Sequence, residues 1–407
     1  MASWRLALGR FGLVVSLSLA SVLVPSPAGA SSGPPSVTGV AAIVADLNTG
    51  QVLWAKNPHE ELEPASITKI MTALVALTYG PSLGTVITVP AQAQGVPGSS
   101  VYLRAGEKLT FKDLLYGLIL RSGNDAAVAI AIATAGSVPA FVAMMNAECK
   151  KLGCENTHFN DPNGLSTKDH YTSVADMALI TEAAMKIPEF RRIVSTKLFT
   201  SFPNWPAPGM FNQDKLLWNY PGAIGVKIGY TDQAHETIVG AATRHGVTLV
   251  AVVMHTTHPR LWLDPETLLT WGFDNFVPAT ALARGQVVGH VKDATGKTIP
   301  VISTSAVSYL RPVGGTDRVK VALVARRHPD GPVRKGEPMG YAEITVNGQI
   351  MSLVPAVAGE NYRPPASALW AVATALALLA AGSLVRHRRH VRRTSRWRYR
   401  GLRRRQA

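Results

Sequence analysis

The stretch Glu63-Pro64-Ala65-Ser66-Ile67-Thr68-Lys69-Ile70-Met71-Thr72 decides how this chain is read. It sets the Ser66 hydroxyl and the Lys69 amine three residues apart at the predicted start of a helix, where both face one side. A serine becomes a nucleophile when a base stands within hydrogen-bond reach, and a lysine desolvated beside it can lose its proton near neutral pH and act as that base. The helix N-terminus adds backbone N–H groups suited to an oxyanion. Ser-x-x-Lys arises by chance about once or twice in a chain of this size, mostly on solvated helix faces. It carries weight only with partners elsewhere.

The two ends of the chain say where such a site would work. Residues 1–30 carry Arg5 and Arg10, an apolar run from Phe11 to Val24, and the small-residue triplet Ala28-Gly29-Ala30. This is the pattern of a secretory signal peptide cleaved after Ala30. Near the other end, 366–385 is an uncharged, largely apolar run long enough to cross a bilayer, with Trp370 near one edge. The segment 386–407 that follows holds 11 arginines and no acid. By the positive-inside rule this tail is predicted to stay cytoplasmic and the body to lie outside the cell membrane. Anionic lipid headgroups suffice as its partners, so no nucleic acid is called for.

The formal net charge is +15, but removing the signal and the tail leaves 28 basic against 26 acidic residues over 31–385. The high charge therefore describes topology and not a basic substrate surface. The cysteines are Cys149 and Cys154. Export permits a disulfide between them, closing a very small loop; two buried thiols are the alternative. No Cys/His spacing suits a metal, and the reading calls for no cofactor.

Val37–Asp46 and Gln51–Ala55 read as a hairpin around Asn48-Thr49-Gly50. Phe111–Leu120, Asn124–Thr134 and Phe141–Leu152 read as helices, and Ser173 and Asp176 open another. Ala223–Tyr230, Thr237–Thr243 and Thr248–His255 read as strands; Asp264-Pro265 reads as a helix start with proline at the first position. Strands at both ends of a helical middle predict an α+β domain over 37–276: an antiparallel sheet with flanking helices and a helical subdomain. From Val277 short alternating segments and the Asn347-Gly348 turn predict a small β-rich domain over 277–358, a linker over 359–365 and a transmembrane helix over 366–385.

Two later sets of residues can partner Ser66. Ser122-Gly123-Asn124 lies in a tight turn between two predicted helices, where a hydroxyl can relay a proton and an amide can hold a peptide carbonyl. Lys227-Ile228-Gly229-Tyr230-Thr231 lies on a predicted strand. Lys227 would face the helix start with a cation, Gly229 would let a ligand approach the backbone, and the Tyr230 N–H would serve as a second oxyanion donor. Taken singly, the first is a helix-capping turn and the second an edge-strand lysine.

Ser-x-x-Lys, Ser-x-Asn and Lys-x-Gly in that order form the motif set of penicillin-binding proteins and serine β-lactamases. Within it, Pro64–Ala73, Asn160-Asp161-Pro162-Asn163-Gly164-Leu165, His170-Tyr171, Asp176 and Leu268–Phe273 resemble the D-alanyl-D-alanine carboxypeptidases, the low-molecular-mass penicillin-binding proteins of peptidase family S11. The β-rich domain and terminal anchor resemble that family too. The resemblance implies a hydrolase of cell wall biogenesis and cell shape that acts on peptidoglycan stem peptides, with β-lactams as covalent inhibitors. It implies Ser66 as nucleophile, Lys69 as its base and Ser122 as proton relay. Asn124, Lys227, Gly229 and Thr231 would bind substrate, and the N–H groups of Ser66 and Tyr230 would form the oxyanion hole.

The chain departs from the family pattern at Ile228, where a hydroxyl residue is usual, and at Ala234-His235-Glu236. Loss of one hydroxyl contact with a buried partner costs about 1–3 kcal/mol, roughly tenfold or more in rate. Thr231 is a candidate substitute for it. Two other readings compete: a wall-binding homologue impaired through Ile228, and a β-lactamase.

Overall fold

The computed structural model describes residues 33–165, 168–293, 296–326, 331–363 and 373–386. The predicted signal peptide, the first residues of the predicted span and the tail beyond Arg386 lie outside the described residues. The chain opens with the hairpin β1 (Ala41–Asp46) and β2 (Val52–Lys56), followed by helix α1 (Lys69–Tyr79). A small hairpin, β3 (Val86–Thr88) and β4 (Lys108–Thr110), leads into α2 (Phe111–Leu120), α3 (Asn124–Ala135) and α4 (Val138–Leu152). Then come α5 (Val174–Met185), α6 (Pro188–Ser195), the short pair β5 (Leu198–Phe199) and β6 (Met210–Phe211), and α7 (Leu216–Asn219). The domain closes with β7 (Ala223–Thr231), β8 (His235–Arg244), β9 (Val247–Thr256) and α8 (Arg260–Asn275).

The main sheet is antiparallel with order β2-β1-β9-β8-β7, so the first hairpin meets the last strand and β7 is left as an edge. The apolar run of β9 explains its central place. Val250, Val252 and Met254 face the helical core, while Leu249, Ala251 and Val253 face the side covered by Leu261, Leu268 and Leu269 of α8. A strand buried on both faces needs apolar residues at every position. The turns are chemically specified as well: His245 and Gly246 both take positive φ, the conformation of a tight two-residue hairpin.

Helix α8 begins at Arg260, five residues before the predicted first position at Pro265, which lies inside it. Asp264 is therefore not a cap. Its Oδ2 accepts from Thr38 N (3.1 Å), Thr38 Oγ1 (2.8 Å), Gly39 N (3.1 Å) and Thr256 Oγ1 (2.8 Å), tying the N-terminal segment to the helix. The structure also bonds Cys149 to Cys154 as a disulfide, at the end of α4 where Gly153 turns left-handed.

Among the described residues between α8 and Ala358 the regular elements are all strands. β10 (Phe276–Leu282) pairs with β13 (Val307–Pro312). The strands β11 (Val287–Lys292), β12 (Thr298–Ser303), β14 (Val319–Ala325), β15 (Pro338–Val346) and β16 (Gln349–Ala358) form a second sheet in the order β11-β12-β16-β15-β14. It has its own core, with Val301, Met339, Ala342 and Ile344 fully buried or nearly so. Among the described residues, no single helix is long and apolar enough to cross a membrane; Ala373–Arg386 is a shorter apolar helix.

Candidate active site

Ser66 lies on a 3-10 turn, Ala65–Thr68, that runs into α1. The predicted one-face arrangement is thereby sharpened, because residues three apart eclipse one another on a 3-10 turn. Lys69 Nζ hydrogen-bonds Ser66 Oγ at 2.8 Å and donates to the Asn163 carbonyl at 2.6 Å. Lys69 is wholly buried while Ser66 is half-buried. Burial first, and the charge of Lys227 second, hold the Lys69 amine well below the ordinary lysine range; Asp161 and Asp125 pull the other way with less effect. A neutral amine at this distance can take the serine proton.

The loop carrying Asn163 is fixed against the serine turn. Asp161 Oδ1 accepts the N–H groups of Asn163 (2.8 Å) and Gly164 (2.5 Å), and Thr72 Oγ1 donates to Pro162 O at 2.6 Å. Gly164 has φ +85°, and a Cβ there would collide with the Ala65 carbonyl. His170 supports the turn from below. Its Nδ1 accepts the Asn160 N–H at 3.1 Å, which leaves the proton of the neutral ring on Nε2, 3.0 Å from Thr68 Oγ1. Burial pushes this imidazole below its ordinary range and so favours the neutral form.

Ser122 turns the chain between α2 and α3 with φ +59°. Among the described residues its buried Oγ has no hydrogen-bond partner, and neither does Asn124 Oδ1. Asn124 is otherwise anchored, its Nδ2 donating to Pro97 O at 2.6 Å and its backbone N–H to Ser99 O at 2.7 Å. An unmet buried polar atom costs about 1–3 kcal/mol. Two such atoms, two residues apart along the chain, suit a polar ligand that supplies the missing contacts.

On β7, Lys227 and Gly229 sit opposite Val239 and Thr237 of β8 and face the serine turn. Lys227 is buried, its Nζ donating to the Ile228 carbonyl at 2.9 Å. Burial pushes its amine down to about 7, with Asp214 opposing. Ile228 sits opposite Ile238 and packs, half-buried, with the α8-side cluster. Thr231 Oγ1 accepts the Ala234 N–H at 3.0 Å, so this hydroxyl serves the β7–β8 turn. Tyr230 is exposed at the open edge, its hydroxyl 3.0 Å from Asp232 Oδ1. His235, also exposed, stacks edge-on against His255.

The helix start and the strand therefore meet, Gly229 lying against Ser66 and Ile67. Sequence reasoning quoted Asn163 and His170 only as family landmarks and gave them no contact; a backbone carbonyl such as that of Asn163 has no sequence signal.

The residues 28–258 match the family model of D-alanyl-D-alanine carboxypeptidase, peptidase S11. The chain belongs to that family. Residues 276–363 match the model of the penicillin-binding protein 5 C-terminal domain. D-alanyl-D-alanine carboxypeptidase DacF of Bacillus subtilis is 31% identical over 335 residues, 79% of this chain and 85% of that protein. DacB2 of Mycobacterium tuberculosis is 39% identical over 238 residues, 57% of this chain and 81% of that protein. The solved structure of penicillin-binding protein 5 from Haemophilus influenzae superposes with a TM-score of 0.70 at 28% identity, covering 81% of this chain and 98% of that one. As a member of family S11, the chain is a serine-type hydrolase with the penicillin-binding-protein fold.

Proposed function

We propose that this S11 member is a membrane-anchored carboxypeptidase that removes the terminal D-alanine from peptidoglycan stem pentapeptides through an acyl-enzyme on Ser66. The 2.8 Å contact between the wholly buried Lys69 Nζ and the half-buried Ser66 Oγ carries this reading. Lys69 takes the hydroxyl proton as Oγ attacks the carbonyl between the two D-alanines. The N–H groups of Ser66 and Tyr230 hold the oxyanion. Ser122 passes a proton to the amine of the leaving D-alanine, Asn124 holds the peptide backbone, and Lys227 faces the substrate carboxylate. Water then attacks the ester and frees Ser66. Penicillin acylates the same oxygen and leaves slowly.

The signal peptide, the apolar run 366–385 and the arginine tail support an extracytoplasmic body anchored at its C-terminus. Truncation after Glu360 should move the protein from the membrane fraction to the soluble one; continued membrane retention would sink the anchor. For the chemistry, the full chain in detergent micelles is incubated with a stem pentapeptide and free D-alanine is assayed. Release that vanishes in Ser66→Ala is expected. Release no greater than that variant's overturns the reading, and rapid hydrolysis of penicillin would reassign the protein as a β-lactamase.

A further inference from the structure

The charge of the chain divides unevenly between its two domains. Residues 31–276 hold 17 basic against 20 acidic groups, whereas 277–363 hold 11 against 6. The near balance over 31–385 thus conceals a mildly acidic catalytic domain and a basic β-rich one, a split that marks an acidic partner for the second. No step of the reaction above uses this charge. The end of the β-rich domain bears on where it acts. The predicted linker 359–365 is bonded to that domain as far as Tyr362, which is 3% exposed. The Tyr362 N–H donates to Val333 O at 2.8 Å, its carbonyl accepts the Val333 N–H at 2.9 Å, and its hydroxyl donates to Asp293. Asn361 Oδ1 accepts the Lys335 N–H at 2.8 Å, and the Gly359 N–H donates to Pro300 O at 2.8 Å.

Cations gather where the chain leaves this fold. Val333 and Tyr362 form an antiparallel bridge with both side chains buried, so the flanking Arg334 and Arg363 turn to the opposite, exposed side. Lys335 is exposed next to Arg334, and Lys297, also exposed, holds its Nζ 5.3 Å from the centroid of the Tyr362 ring. Lys292, exposed on β11, sits opposite Thr298, the neighbour of Lys297. The acids in these segments are Asp293, Glu337 and Glu360. Two of them are tied to their own turns: Asp293 accepts from the Tyr362 hydroxyl and the Lys297 N–H (2.8 Å), and Glu337 accepts the Arg334 N–H (3.0 Å).

We infer that this end of the β-rich domain rests on the bilayer, its basic cluster engaging anionic phospholipid headgroups of the outer leaflet. This rests on the reading of 366–385 as a membrane span. Reach selects the partner. The four residues from Tyr362 to Ala366 cover at most about 14 Å, whatever their path. The headgroup layer takes up roughly 5–8 Å of that, which leaves Tyr362 within about 9 Å of the headgroup surface. Charges act over about 8 Å at physiological ionic strength, so the cluster lies inside the field of the lipid. Basic clusters beside a span recognise anionic lipid in this way. Gln51 of the catalytic domain exchanges two hydrogen bonds of 2.8 Å with the Leu310 backbone of β13, so docking would also fix how the catalytic domain stands on the membrane.

The test uses the full chain reconstituted in vesicles, with a fluorophore on Thr298→Cys, an exposed position beside Lys297, and nitroxide-labelled headgroups as quencher. Vesicles of phosphatidylcholine are compared with vesicles that also contain phosphatidylglycerol. Quenching should be stronger in the anionic vesicles and should return to the phosphatidylcholine level at 1 M salt, where the Debye length is about 3 Å. A chain carrying Lys292→Gln, Lys297→Gln, Arg334→Gln and Lys335→Gln should lose the response to phosphatidylglycerol. Equal quenching in the two vesicles, or a rise that salt leaves intact, overturns the proposal. Equal quenching with soluble polyphosphate bound at the cluster would give it to an anionic polymer instead. If the fourfold variant does not fold, the lipid and salt dependence of the labelled chain decides alone. A chain that alkaline carbonate strips from the vesicles would remove the reading of 366–385 as a span, whereas a chain that stays inserted with no response to anionic lipid overturns the docking alone.

Discussion

Gly229 runs so close to Ser66 that a Cβ at position 229 would stand 2.7 Å from the Ser66 amide nitrogen and 2.6 Å from Thr237 Oγ1. The edge strand and the serine turn therefore define one another's position, and the absence of a side chain is what lets a substrate backbone lie between proposed donors on each. Gly229→Ala should push β7 off the turn, lower stability by about 1–3 kcal/mol and slow penicillin acylation more than the loss of stability accounts for. Thermal melts and labelling rates on the same preparation check both; an unchanged rate would show that the approach is structural alone.

Lys69→Arg tests the neutral amine. A guanidinium cannot deprotonate in a protein, so it keeps a charge beside Ser66 and cannot accept its proton. Acylation is expected to fall about 10²–10⁴-fold across the whole pH range, read by stopped-flow or time-course labelling. Recovery of the rate at high pH would point to a base other than Lys69.

The same burial makes stability depend on pH. The folded-state pKa of Lys69 lies well below its unfolded value, so the unfolded chain binds the extra proton. The cost of burying this amine is therefore greatest at low pH and is shed as pH climbs towards about 10.4, with a limiting slope of about 1.4 kcal/mol per pH unit. Relative to Lys69→Met, wild type should gain stability between about pH 8 and pH 10. Urea midpoints at stepped pH check it, and parallel curves would mean that Lys69 is protonated in the fold.

The Cys149–Cys154 disulfide spans five positions at the end of α4, and none of the contacts described for the serine turn involves either cysteine. Replacing both cysteines with serine should cost no more than about 2 kcal/mol and leave acylation unchanged. Denaturant titration with and without reductant measures the first and penicillin labelling the second; a large loss of labelling would tie α4 to the site.

Much of this protein was legible residue by residue. The tight turns at Asn48-Thr49-Gly50 and His245-Gly246, the Ser173 cap and the twofold apolar character of β9 are local properties, set within a few residues by backbone sterics and side-chain polarity. Helix α8 was misplaced because Asp264-Pro265 imitates a helix start. Asp264 is bonded across space to Thr38, Gly39 and Thr256, which no local signal records.

The sequence by itself determined which groups are present and in what order: Ser66 with Lys69, Ser122 with Asn124, Lys227 with Gly229. The tertiary structure decided that the first and the last of these pairs meet. Inserting β9 between β1 and β8 leaves β7 as the edge strand, and Gly229 brings that edge against the serine turn. It also decided their charge. Lys69, Lys227 and Asp214 read as three ordinary ions along the chain. Only packing removes the water that would keep them so, because proton affinity follows burial and neighbouring charge.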